Sequence, residues 1–193
     1  MKRLAIGGVL LVAFGAGAGT ILLDQQQQEA LTTIDTVPSK ALYESLPTPL
    51  TQADIEGVAG DGSANPAFRL RAIHALATYC ATPAPCADTD PAHMTLAALI
   101  SANGSAHSGA DLLILRGAIE AIGPMRGSKD LPLLVPLLDH PSRDIRATAA
   151  TALGALCKIG ANTPLHQRYT NESTDQVKLA ISAALRMLST CVP

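Results

Sequence analysis

Aromatic residues make up only 3% of this 193-residue chain, and tryptophan is absent. Proteins that stack on nucleic-acid bases need aromatic side chains, and they usually carry a basic surface as well. The net charge of −2 gives no excess of basic residues, so we expect no nucleic-acid partner. Because alanine and leucine dominate the apolar residues, the composition favours helix over strand.

Motifs for catalysis and cofactor binding are also missing. The sequence contains no nucleophile elbow, no phosphate-binding loop and no dinucleotide-binding glycine motif. No two histidines are spaced by three or four residues, as a helical metal site would require. Asp88 and Asp90 lie in a proline-containing loop without apolar surroundings that would raise a carboxyl pKa. We therefore predict no catalytic residue, no cofactor and no metal. His140 precedes Pro141 in a turn and is predicted to be solvated.

The N-terminus has the pattern of a targeting segment. Lys2 and Arg3 precede twenty residues without a charge, Leu4 to Leu23, and this order directs the following chain out of the cytoplasm. Two interpretations stay open. Residues 1–23 are either a cleaved signal peptide, with a small-residue cleavage site at 16–18, or an uncleaved anchor, since about 20 residues span a bilayer. In both cases the domain is expected to be periplasmic or otherwise extracytoplasmic, and it would contact the membrane only through residues 4–23 if uncleaved.

Residues 24–50 are predicted to form a polar, proline-containing linker. Four glutamines, Gln25 to Gln28, follow the apolar run and are interpreted as a polar spacer. Prolines at 38, 47 and 49 interrupt the rest of the segment, which has room for a short helix near 39–46. The repeat domain, 51–191, is then expected to begin with a helix that has Thr51 as its N-cap and Asp54 in its first turn.

A helical hairpin is predicted between Leu131 and Leu156. A leucine-rich helix is followed by a break at His140-Pro141. The second helix then carries apolar side chains on one face, at Ile145, Ala149, Ala152, Leu153 and Leu156.

The pattern of this second helix recurs along the chain. Ala152-Leu153 matches Ala121-Ile122 at a step of 31, Ala184-Leu185 at a step of 32 and Ala75-Leu76 at a step of 77. The first repeat is irregular, since an insertion at 80–91 lengthens the step that follows it. Second helices are predicted near 66–80, 111–125, 142–157 and 174–188, with first helices near 51–59, 92–102, 130–138 and 163–170. One such hairpin cannot bury its own apolar face, so the hairpins must stack.

The third hairpin resembles HEAT repeats, especially the short bacterial HEAT-like repeats of phycobilisome lyases. The resemblance lies in Leu137-Leu138-Asp139-x-Pro141 and Ile145-Arg146-x-x-Ala149-Ala150-x-Ala152-Leu153-Gly154, and it extends over about residues 66–190. It implies an all-α fold, a short right-handed α-solenoid of about four hairpins, here preceded by an N-terminal apolar helix.

Most members of that family bind or scaffold other proteins. Our leading prediction is therefore a non-enzymatic protein-binding scaffold of the cell envelope, with an unknown protein partner. Two alternatives stay open: an accessory or lyase-like protein that handles a chromophore or cofactor in the solenoid groove, and a purely structural envelope protein.

One column of the repeat is basic. Arg69, Arg146 and Lys178 share a position in three repeats, and Arg116 lies one residue past it in the remaining repeat. The family resemblance implies that this arginine pairs with an acidic residue of the turn or of the next repeat. The functional alternative is a partner-binding strip for an acidic segment, and the sequence leaves both open.

Four cysteines, at 80, 86, 157 and 191, allow three pairings, and export favours their oxidation. Cys80 and Cys157 occupy the same position two repeats apart, which corresponds to about 16–20 Å because adjacent helices pack at about 8–10 Å. A disulfide needs Cα atoms within about 7 Å, and pairing Cys80 with Cys191 and Cys86 with Cys157 fails for the same reason. We predict Cys80–Cys86 and Cys157–Cys191, with a buried free thiol at Cys157 as the alternative.

Overall fold

A computed structural model describes residues 23–80 and 86–191 of the chain. The secondary structure within these residues is helical, without a strand, and the predicted all-α class is confirmed. The targeting segment lies outside the described residues, except for Leu23. In the described part of the chain, no helix is long and apolar enough to cross a membrane.

The helices form four hairpins, preceded by two short helices, α1 (Gln25–Thr32) and α2 (Lys40–Glu44). The first helices of the hairpins are α3 (Gln52–Gly60), α5 (Pro91–Asn103), α7 (Asp130–Leu134) and α9 (Asn162–Asn171). The second helices are α4 (Pro66–Leu76), α6 (Gly109–Ile122), α8 (Arg143–Ala155) and α10 (Asp175–Thr190). A 3-10 helix, Val135–Asp139, continues α7. The predicted first and second helices are confirmed to within a few residues.

Polar side chains set several of the helix starts. The Thr51 hydroxyl accepts a hydrogen bond from the Asp54 amide, which confirms Thr51 as the predicted N-cap of α3. The Asp54 carboxylate also accepts one from the Thr51 amide, so the two residues form a capping box. Asp90 caps α5 and is followed by a proline. Ser142, the expected cap of α8, makes no side-chain capping bond; its amide donates to Nδ1 of His140 instead.

The hairpins stack so that helices of the same kind lie side by side. Each second helix packs against the next, in the order α4, α6, α8 and α10, while α3 packs against α5 and α5 against α7. The core lies between these two layers of helices. Ile73, Ile119, Leu153 and Ile181, one from each second helix, are completely buried there.

Glycines allow the second helices to approach closely at regular intervals. A Cβ atom at Gly123 would lie 2.8 Å from Cα of Ala152, and one at Gly154 would lie 2.7 Å from Cα of Ala184. In each case the glycine of an Ala-x-Gly sequence, at 121–123 or 152–154, packs against the alanine at the same repeat position of the next second helix. Thirty-two residues after Gly154, α10 has the exposed Arg186 instead. No further helix could approach the outer face of α10 as closely at that position.

The segment 24–50 differs from the predicted linker. Helix α1 contains the glutamine run and packs against α4, with Ala30 and Leu31 buried. Gln27 is only 6% exposed, and its side-chain amide donates to the carbonyl of Thr48 at 3.2 Å. The physical reason is that, among the described residues, no other hairpin packs on this side of α4, and α1 covers it instead.

Both predicted disulfides are present, with Cα–Cα distances of 5.5 Å for Cys80–Cys86 and 5.6 Å for Cys157–Cys191. The second, here called the C-terminal disulfide, joins the end of α8 to the end of α10. Cys157 has a left-handed backbone conformation (φ 55°), and so does Arg126 (φ 58°), 31 residues earlier. The repeat period therefore extends to the residues that end the second helices.

Candidate functional site

The repeat register shows that α8 presents smaller side chains than its neighbours in two of three columns. These columns run across the outer faces of α6, α8 and α10, at steps of 31 and 32 residues. From α6 to α8 to α10 they are Arg116, Ala147 and Leu179; Glu120, Thr151 and Ala183; Pro124, Ala155 and Met187. Two of the three α8 positions are alanines, so the surface is recessed along this helix.

A groove of about 400 Å³ lies over α8 and is here called the α8 groove. Its walls are formed by α6 with the turn that follows it and by the start of α10, and its floor by one face of α8. The lining residues are Arg116, Glu120, Pro124, Asp144, Ala147, Thr148, Thr151, Ala152, Ala155 and Gln176.

An ion-pair network forms the α6 wall of the groove. Nε of Arg116 donates to Oε1 of Glu120 at 2.9 Å, and Nε2 of His74 on α4 lies 3.4 Å from Oε2 of the same carboxylate. The neighbouring His74 is the main cause of the lowered pKa of Glu120, followed by its contact with Arg116. Glu120 is therefore a carboxylate at neutral pH and connects α4 to the groove wall.

The two ends of the α8 groove differ in charge. The N-terminal turns of the second helices carry exposed aspartates, at Asp111, Asp144 and Asp175. Arg143, 3.8 Å from Asp144, offsets one of these charges. Cations lie toward the other ends of the same helices: Arg126 and Lys158 follow the ends of α6 and α8, and Arg186 lies in α10 before its last turn. Helix dipoles favour this arrangement, which gives the groove an acidic end and a basic end.

The four residues of the predicted basic strip do not form one exposed surface. Arg69 is 7% exposed, and its Nε donates to the carbonyl of Ala59 at 3.2 Å. Arg146 is held between two turns of the domain, whereas Arg116 is exposed and Lys178 is partly exposed. The strip interpretation is thus corrected for the two arginines whose guanidinium groups hydrogen-bond within the domain.

Arg146 has the structural role that the family resemblance implies. Its Nε and Nη2 donate to the two carboxylate oxygens of Glu172, at 2.8 and 3.0 Å, while Nη1 donates to the carbonyls of His140 and Pro141. The Glu172 side chain is completely buried and also accepts hydrogen bonds from Arg168. The pKa of Glu172 lies far below its usual range, mainly because Arg146 donates hydrogen bonds to the carboxylate. This clamp joins the turn of the third hairpin to the turn of the fourth.

His140 is buried, with 5% of its surface exposed, so the prediction that it is solvated was wrong. Its Nδ1 accepts a hydrogen bond from the Ser142 amide at 3.1 Å, and its ring lies 6.0 Å from the ring of His107. Burial lowers the pKa of His140. The cause is tertiary, because the loop that precedes α6 comes from the previous hairpin and covers this turn.

A second buried polar cluster joins α5 to α7. Nε2 of His93 lies 2.7 Å from Oδ1 of Asp130, and the two side chains are 3% and 1% exposed. The hydrogen bond with Asp130 raises the pKa of His93. Next to this pair, the Asp88 carboxylate accepts from the amides of Ser128 and Lys129 at the start of α7. These groups are bound to one another, and the sequence carried no signal that would have paired them.

Within the described residues, one group of three potential metal ligands lies close together: Cys80, Cys86 and Asp90. The two sulfurs form a disulfide, whereas a metal would need thiolates. Asp90 already accepts a hydrogen bond as the cap of α5. We therefore assign no metal to this group.

Comparison with known proteins gives one match. The family model described as HEAT repeats matches residues 96–186, which extend from α5 into α10 and include the α8 groove. No curated protein and no solved structure shows a significant match to the chain.

Proposed function

Because the chain is a HEAT-repeat protein over residues 96–186, we propose that it is a non-enzymatic scaffold that binds a partner protein in the α8 groove. HEAT repeats form extended interaction surfaces and are typically non-catalytic. The observation that carries the proposal is the recess over α8, whose alanines and threonines form a floor bordered by Arg116, Glu120 and Pro124 on one side and by Gln176 on the other.

Exposed apolar residues beside the groove support this proposal. Leu179 and Met187, on α10, are 70% and 40% exposed, and Leu113, on α6, is 52% exposed. All three are on second helices, so they belong to the same layer as the groove. Apolar side chains grouped on one surface are typical of protein interaction sites, and a partner in the groove would cover them.

A photo-crosslinking amino acid tests this function. Placed at Gln176, on the α10 wall of the groove, it should form adducts with one or a few specific proteins in the source cell. The same amino acid at Gln167, an exposed glutamine on α9, is the matched control and should not form them. Identical adducts from the two positions would contradict a role for the groove. A pigment or cofactor that copurifies with the domain would instead support the cofactor-handling alternative.

We also propose that the scaffold works outside the cytoplasm, as part of the cell envelope. The support is Lys2 and Arg3 ahead of the apolar run, together with two disulfides that use all four cysteines of the chain. Disulfides persist mainly in oxidising compartments. An alkaline phosphatase fused to the C-terminus should be active. An inactive phosphatase fusion, together with a fluorescent fusion of green fluorescent protein at the same position, would contradict a location outside the cytoplasm.

A further inference from the structure

We infer that the α8 groove binds an amphipathic helix of the partner, lying antiparallel to α8. This inference rests on the proposed function and names the occupant of the same site. The floor residues Ala147, Thr151 and Ala155 lie on successive turns of α8, so they line a stripe about 12 Å long at 1.5 Å per residue. The helices that form the two walls pack on either side of α8, so a helix in the groove would lie over α8, between the side chains of α6 and α10.

The floor favours a helix over an extended peptide, because a helix satisfies its own backbone hydrogen bonds. The two hydroxyls on the floor are already in use: Thr148 donates to the carbonyl of Asp144, and Thr151 donates to that of Ala147. The remaining α8 residues that line the groove are alanines, apart from Asp144 at its acidic end. An extended segment would find few groups there to pair with its amides and carbonyls.

The two walls differ, and the difference specifies an amphipathic occupant. In the repeat register, the α10 positions beside the floor are Leu179, Ala183 and Met187, whereas the α6 wall presents the Arg116–Glu120 ion pair. We therefore expect the bound helix to direct its apolar stripe toward α8 and α10. Its polar face would lie toward α6 and the solvent.

The charged ends of the groove decide the orientation. Helices commonly carry acidic residues in the first turn and basic residues in the last. A helix of this kind that lies antiparallel to α8 places its acidic end beside Arg126 and Arg186, and its basic end beside Asp144 and Asp175. The parallel orientation would bring like charges together at both ends. Charge complementarity thus selects the antiparallel arrangement.

Stapled 14-residue model helices test the inference with the full-length, oxidised protein. Two peptides have the same composition and the same leucine stripe; one carries its acids first and its bases last, and the other has the reverse order. Fluorescence anisotropy should show about tenfold tighter binding of the acid-first peptide, which corresponds to about 1.4 kcal/mol. The preference should shrink as salt rises from about 50 to 300 mM, because rim charges are screened.

Two variants locate the binding. Thr151→Phe fills the groove and should weaken the acid-first peptide at least tenfold, whereas Thr170→Phe on α9 should not. Both threonines are exposed, and both hydroxyls bond to the carbonyl four residues earlier, so the pair is matched. Asp144→Lys reverses one charge at the acidic end and should reduce the preference for the acid-first peptide. Circular dichroism of each variant checks that the fold is kept.

The outcomes separate this inference from the proposed function. Equal affinity for the two peptides would overturn the charge-selected orientation. If neither peptide binds while the crosslinker at Gln176 still captures a partner, the helical occupant is wrong and the scaffold function stands. If Thr151→Phe, combined with the crosslinker at Gln176, leaves capture of that partner unchanged, the α8 groove is not the binding site and both proposals fail.

Discussion

Replacing Glu172 with glutamine should destabilise the domain by about 3 kcal/mol. The buried carboxylate accepts hydrogen bonds from Arg146 and Arg168, as well as from the amides of Ser173 and Thr174. Glutamine removes the negative charge, and its side-chain amide places an N–H group opposite the guanidinium and backbone N–H groups that donate to Glu172. Removing one partner of a buried ion pair costs about 3–5 kcal/mol. We expect the lower end, because the two guanidinium groups keep 12% and 19% exposure.

Thermal unfolding followed by circular dichroism measures this loss as a decrease in Tm of about 6–12 °C, at about 2–4 °C per kcal/mol for a domain of this size. The matched control is Glu44→Gln, which removes an exposed carboxylate 3.8 Å from Lys40. Surface pairs contribute little, so the control should stay within about 0.5 kcal/mol of the parent.

The pH dependence gives an independent check. The native pKa of Glu172 lies below its unfolded value of 4.5. The stabilisation is therefore present above pH 4.5 and is lost as the pH falls toward the native pKa. Glutamine does not titrate, so the stability difference between parent and variant should shrink as the pH falls from 6 to 3. Equal losses for Glu172→Gln and Glu44→Gln, or a difference that does not change with pH, would refute the clamp.

Three further measurements test the packing, the buried pair and the C-terminal disulfide. Gly154→Ala would place a Cβ 2.7 Å from the α10 backbone and should cost about 1–3 kcal/mol in urea unfolding, whereas Gly62→Ala, with nothing within 4 Å, should leave the midpoint nearly unchanged. Asp130→Asn should reduce the free energy of unfolding by about 3 kcal/mol at pH 6. The native pKa of His93 is raised, so the stabilisation by the His93–Asp130 pair is full below pH 6.5 and is lost as the pH rises through the native pKa of His93. The cost of the substitution should therefore decrease toward pH 9. A cost that stays constant would exclude a charged imidazole. Serine at both positions of the C-terminal disulfide, 34 residues apart, should cost about 4 kcal/mol, and an unchanged urea midpoint would contradict this stabilisation.

The repeat period could be predicted well from the sequence, because it depends on local patterns. Apolar spacing along each second helix and the break at His140-Pro141 predicted the hairpins, and the structure has them. The disulfides followed from the same register, since repeats two or more apart lie too far from one another to be bridged. Arg146 also pairs with an acidic residue of the next repeat, as the resemblance implied.

The failed expectations concern residues whose partners lie far away along the chain. Gln27 looked like part of a polar spacer, yet it is buried against residues near Thr48. His140 looked solvated, yet a loop of the previous hairpin covers it. Asp88 accepts a hydrogen bond from the backbone at the start of α7, some forty residues later, and nothing near it in sequence indicated this contact.

The sequence by itself determined the helical class and the hairpin period, because periodicity and spacing are properties of the chain. The cysteine pairing needed one further premise, that the hairpins stack in the order of the chain. Only the tertiary structure decided which polar groups are buried and where the surface is recessed. Burial of a side chain depends on what the neighbouring hairpin places over it, and the depth of the α8 groove depends on the difference in side-chain size between three helices. Both are relations between elements that no local pattern records.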